Sequence, residues 1–210
     1  MKEILHKYRA KFIAAAVIVA VFAVAVIVLL SLKPQLLSGK PKLILSSPPP
    51  LAVSDRNEFT IDVTVSKLPD NLYCAASVAI VFDKNKLEFT GVKQGTMMTY
   101  GDKQANGSEL TIPTWQGNTE TANQTGQINA MYLDMTAGKY AYCAEGFDSE
   151  NNNVMLRLGF KLRESVYSGE VLDLTVADAV LATVTGDSDG SSLATVNKTL
   201  QPVNAKIVVK

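Results

Sequence analysis

Phe59, Ile61, Val63 and Val65 alternate with Thr60, Asp62 and Thr64. A side-chain period of two marks a strand with one face in a core and the other in water. The pattern returns later, where Val154, Leu156, Leu158, Phe160 and Leu162 alternate with Met155, Arg157, Gly159, Lys161 and Arg163. Further strands are expected over 43–45, 72–82, 86–93, 109–115, 127–135, 171–181 and 205–209. Turn-forming clusters separate them, among them Asp83-Lys84-Asn85, Gly101-Asp102 and the run from Gly186 to Gly190. Nine short strands without a soluble helix predict an all-β chain, a nine-stranded antiparallel β-sandwich.

The N-terminus has a different period and a different solvent. Residues 12–32 form an apolar run of twenty-one residues in which only Ser31 is polar. As a helix it reaches about 31 Å, enough for a hydrocarbon layer of roughly 30 Å. Ala23-Val24-Ala25 offers a small-x-small cleavage site, but Val26 to Leu30 continue the apolar run behind it. A signal-peptide core is shorter, about 7–15 residues. The expectation is a retained single-pass anchor, with cleavage as the alternative. Residues 1–11 then form a cytoplasmic tail carrying Lys2, Lys7, Arg9 and Lys11. Lys33, Lys40 and Lys42 beyond the run weaken the charge bias, so the character of the following domain decides the orientation. That domain is expected at the cell membrane's outer face, extracytoplasmic. Residues 33–41 read as a linker punctuated by Pro34, Ser38 and Gly39, and 42–210 as the sandwich.

Charge excludes one class of partner. The chain is neutral overall, yet sixteen basic and nineteen acidic residues follow the apolar run. A mildly acidic domain without a basic stripe does not suit nucleic acid, whose binding rests on phosphate neutralisation. Chemistry is equally constrained. The sole histidine, His6, precedes the apolar run, so the outer domain has no histidine-dependent triad and no histidine-ligated zinc. Asp134 and Glu145 read as surface carboxylates rather than a catalytic pair. Asp187-Ser188-Asp189-Gly190 departs from a calcium-binding loop, with Lys198 where the closing Glu would stand. No cofactor or metal is expected, and the chain reads as a binder, not an enzyme. Trp115 either stacks on a ligand or sits half-buried at a loop end. Three triplets, at Asn106, Asn123 and Asn197, match glycan-acceptor spacing, which is frequent by chance. Cys74 and Cys143 allow one disulfide in an oxidising compartment, or are two buried thiols.

The segment from Ala75 to Phe89, AASVAIVFDKNKLEF, resembles the cohesin family, in which an aromatic-Asp pair ends one strand and x-Leu-Glu opens the next. Val92-Lys93-Gln94-Gly95 is similar to the family's Val-x-x-Gly. Ile128 to Asp134 followed by Gly138-Lys139-Tyr140-Ala141, and Val154 to Val166 followed by Gly169, continue the resemblance in order. It implies jelly-roll topology over 42–210 and a dockerin-type protein partner, in a polysaccharide-degrading complex or surface assembly. Carbohydrate-binding modules share the sandwich, so a polysaccharide ligand is the rival reading, and a structural envelope subunit a third. The polar stretch 96–126 is longer than the family's, and Arg56-Asn57 replaces its Gly before the second strand.

The resemblance also assigns a face. Alternation sets Leu72, Cys74, Ala76, Val78, Ile80 and Phe82 against Tyr73, Ala75, Ser77, Ala79 and Val81, and the family strand at this place lies on the dockerin-facing sheet. The expected partner-binding residues are Tyr73, Ala75, Ser77 and Ala79, joined by Met131, Leu133 and Asp134 from the adjacent family strand. Ala75 and Ser77 stand where type I members often carry Asn and Asp, which argues against that specificity. The family's strand order further implies that the loop carrying Cys143 returns towards Cys74, predicting a Cys74–Cys143 disulfide.

Overall fold

A computed structural model of the chain describes residues 39–101, 113–136, 138–147, 153–184 and 191–210. The apolar run at 12–32, most of the linker expected at 33–41 and the segment Asp187 to Gly190 lie outside them. Among the described residues no helix is long and apolar enough to cross a membrane.

The strands are β1 (Lys42–Leu45), β2 (Phe59–Val65), β3 (Tyr73–Val81), β4 (Leu87–Gln94), β5 (Gln116–Gly117), β6 (Gln127–Leu133), β7 (Val154–Leu162), β8 (Val171–Thr183), β9 (Leu193–Ala194), β10 (Gln201–Val203) and β11 (Ala205–Val208). One sheet runs β10-β1-β2-β7-β4 and the other β11-β8-β3-β6-β5, with β9 beside β8. Consecutive long strands alternate between sheets, which wraps the chain into a jelly roll. The pairing is antiparallel except between β1 and β10, which run parallel. The two sheets enclose the side chains that alternation assigned inward, such as Ile61, Val63, Val78, Ile80, Ile128, Leu156 and Leu158.

Two aromatic groups fill the sandwich. Phe160 of β7 meets Phe59, Phe82 and Phe89 at 5.5–6.1 Å between ring centroids, joining the two sheets. Towards the other end of β7, Trp115, Tyr132 and Tyr142 pack together, with Tyr132 and Tyr142 4.8 Å apart. Trp115 is buried, and its indole N–H donates to the Tyr142 hydroxyl at 2.9 Å. Trp115 thus belongs to the core and presents no ring to a ligand.

The expected strand over 109–115 is not seen in its described part, since Pro113 to Trp115 are irregular and pairing begins at Gln116. A helix absent from the expectation, α1 (Thr119–Thr125), follows. Asn118 caps it by accepting from the Thr121 N–H, and Gly126 ends it at φ 78°, a left-handed conformation that favours glycine. Asn123 on α1 accepts from the Phe89 N–H at 2.9 Å and donates to the Phe89 carbonyl at 2.8 Å. A single amide therefore mimics a neighbouring strand at the β4 edge, and Asn123 is structural.

Four bulges displace the alternation, one of them between β4 and β7, where Thr90 is the extra residue. Between β3 and β8 the register moves from Tyr73↔Thr183 to Ala75↔Ala182, so Cys74 is an extra residue. Between β2 and β7 Met155 is skipped and turns into the core. Between β3 and β8 Ala177 is skipped as well, between Asp178 and Val176. Each extra residue inverts the parity of the chain beyond it.

Candidate protein-docking face

From Ala75 to Val81 the outward side chains of β3 follow the expected parity, and the pairing with β6 and β8 sets them in rows. Ala182, Ala75 and Leu133 form the first, and Val180, Ser77, Met131 and Gln116 the second. Asp178, Ala79 and Asn129 form the third, and Thr175, Val81 and Gln127 the fourth. Met131 is 61% exposed and Leu133 55%, and Met135 just beyond reaches 86%. Ala75 and Ala79 are half-buried, as short side chains between longer neighbours must be. Two shallow depressions cross this surface, one around Ala79, Asn129 and Asp178, the other against Gln116 to Thr119. Both are bordered by Met131.

Two of the expected site residues are elsewhere. Tyr73 has no exposed surface, because the bulge at Cys74 turns it inward. Burial pushes its phenol up to about 12. Asp134 is also buried. Its carboxylate accepts from the Thr136 N–H at 2.8 Å, the Thr136 hydroxyl and the Tyr140 N–H at 3.1 Å, so it ties the loop after β6. It faces that loop, not a partner. The sequence reading also missed Asp178, Val180 and Ala182, since the bulge at Ala177 breaks the alternation that would have marked the outer side of β8, and it missed Asn129, which the unbroken alternation of β6 sets outward.

The expected disulfide does not form, and both cysteines are free thiols. The returning loop does arrive as expected, for Tyr73 and Tyr142 exchange backbone hydrogen bonds in an antiparallel bridge. Cys74 and Cys143 step away from that bridge in opposite directions, an offset of two residues. Such diagonal positions are about 8 Å apart, beyond the roughly 7 Å a disulfide spans. Burial, then the Asp134 charge, push the Cys74 thiol up to about 11.

The opposite sheet has a different outer surface. Arg157 pairs with Asp62 at 3.1 Å and Lys93 with Glu58 at 2.7 Å, beside Thr60 and Lys161. The Lys93 ammonium, hydrogen-bonded to Glu58, holds that carboxyl below its ordinary range. Long charged side chains lose entropy and hydration when covered, whereas short uncharged ones admit another backbone cheaply.

Strand edges offer less. The 47–53 segment runs along β11, where Leu51 donates to the Val208 carbonyl and accepts from Lys210. β9 covers part of β8, and Asn123 occupies the β4 edge at Phe89. A partner adding its own strand meets covered edges at these places, while the face of β8-β3-β6-β5 stays open. Among the described residues no cluster of His, Cys, Asp and Glu is placed to hold a metal ion.

No family model matches the sequence, and no curated protein matches it. Solved structures do. The seventh ScaB type I cohesin from Pseudobacteroides cellulosolvens superposes with a TM-score of 0.53 at 17% identity, covering 81% of this chain and 92% of its own. A type I cohesin–dockerin complex from Clostridium thermocellum, Coh-OlpA-Doc918, gives 0.57 at 14% identity, with 82% and 100% covered. A non-cellulosomal cohesin from the archaeon Archaeoglobus fulgidus gives a TM-score of 0.52 at 12% identity, with 82% of this chain and 92% of its own covered. The topology, the two-sheet packing and these likenesses agree on one statement: this chain has the cohesin fold.

Proposed function

We propose that the chain is a non-catalytic binding module that takes a dockerin-type protein partner on the outer face of β8-β3-β6-β5. One observation carries this reading: an open sheet face of small and apolar side chains, with Met131 and Leu133 of β6 exposed on it, on a fold whose solved examples include cohesin–dockerin complexes. Apolar, uncharged centres with polar rims are what protein interfaces use. The sugar-binding reading loses its stacking residue with Trp115 in the core. Tyr167, 68% exposed, lies in a turn where the Lys86 ammonium sits 4.8 Å from its ring, away from this face. Residues 12–32 tether the module to the cell membrane as a single pass, with the sandwich extracytoplasmic, a reading supported by the length and apolarity of that run. Retention assays of the full chain against recombinant dockerin modules and a polysaccharide panel distinguish the readings. Retention of a dockerin is expected; retention of polysaccharide alone contradicts it.

A further inference from the structure

The four cross-strand rows of the docking face hold one charged group among the described residues, Asp178. Its setting is built. The bulge at Ala177 brings Asp178 opposite Ala79, and Asp178 Oδ1 accepts from the Ala179 N–H at 2.8 Å and the Thr195 hydroxyl at 2.6 Å. Those two donors fix the carboxylate's direction. Oδ2 has no partner among the described residues, and Asp178 enters none of the ion pairs formed there. Across the row, the Asn129 carbonyl oxygen accepts from Gln127 at 2.9 Å, leaving the amide nitrogen as donor. Between them Ala79 is too short to fill the space, so a notch opens with a carboxylate on one wall.

A partner covering this face covers Asp178. A carboxylate taken from water without a counter-charge is costly, whereas a facing cation offsets that loss. Resting on the docking reading above, we propose that the partner's docking segment carries a Lys or Arg that pairs with Asp178. That cation sits one row, about 7 Å, from the apolar contact at Met131 and Val180. On a helix this is close to the spacing of positions i and i+4, about 6 Å. Asp178 is thereby a specificity residue: it admits basic partners and rejects those with an acidic residue at that position.

The test uses a phage-displayed library of amphipathic helices of about five turns, with a fixed leucine face and randomised positions one turn away. Binding is selected on the full chain in detergent micelles, as wild type, Asp178→Asn, Asp178→Lys and Ser77→Arg. Asn keeps the acceptor for Ala179 and Thr195, so the bulge is preserved. Expected are Lys and Arg enrichment on wild type, Asp and Glu enrichment on Asp178→Lys, and a loss of at least about fivefold in affinity of the wild-type binders for Asp178→Asn. The same residues enriched on all three, with binding still lost in Ser77→Arg, would overturn the cation pairing and leave the docking face standing. Binding that survives Ser77→Arg would overturn the docking face itself, and the pairing with it.

Discussion

At the scale of single residues, the core's polar contacts are narrow in tolerance. The Tyr142 hydroxyl receives the Trp115 indole N–H and a Gln94 amide, all inside or beside the core. Tyr142→Phe leaves a buried indole donor unpaired, which should cost about 1–3 kcal/mol. Denaturant midpoints of the two proteins check this, and an unchanged midpoint contradicts it. The thiols give a second prediction. A Cys74 pKa near 11 keeps it protonated at pH 8, so alkylation of the native chain should be far slower than of the unfolded chain. Two free thiols should be found by intact mass without reductant; a mass two daltons lower would restore the disulfide. Since the folded-state pKa is raised, the folded state holds its proton more tightly than the unfolded one. That contribution to stability is full below the unfolded pKa and is lost as pH rises from about 9 towards 11. Tyr73 adds to the same alkaline loss at still higher pH.

At the scale of elements, legibility followed the ladder. β2 and the middle of β3 and β6 were readable because nothing interrupts their alternation, so the core of the sandwich and Ala75, Ser77, Ala79, Met131 and Leu133 were placed on their sides from sequence. Tyr73 and Met155 were misplaced because a bulge is decided between two strands, not within one. The helix α1 was missed for a related reason: seven residues with one buried side chain, Ala122, leave no periodic signal. Asn118 and Gly126 fix where it starts and stops. The helix does its work through Asn123, which satisfies both backbone groups of Phe89. Asn123→Ala should destabilise by about 1–3 kcal/mol, whereas Thr121→Ala on the exposed side should stay within about 0.5 kcal/mol. Equal midpoints for the two variants would show that the amide bridge contributes nothing.

At the scale of the whole molecule, the two outer surfaces of the sandwich differ in character. The sheet outside β2 and β7 is charged, and the four rows over β8, β3, β6 and β5 hold Asp178 as their one charged side chain among the described residues, with the Asp173–Lys206 pair beyond them on β8 and β11. The proposed tether predicts that the full chain fractionates with membranes and yields peptides containing Met1 or Lys2. A mature start near Val26 would contradict it. The docking face itself is tested most directly by calorimetric titration of a recombinant dockerin module into the full chain as wild type, Ser77→Arg and Thr60→Arg. Both substitutions place arginine at an exposed strand position, one on each sheet. The account predicts that Ser77→Arg weakens binding by about a hundredfold or more, a loss of roughly 3 kcal/mol, while its melting temperature and the affinity of Thr60→Arg stay at wild-type values. Wild-type affinity in Ser77→Arg, or a comparable loss in Thr60→Arg, would contradict it.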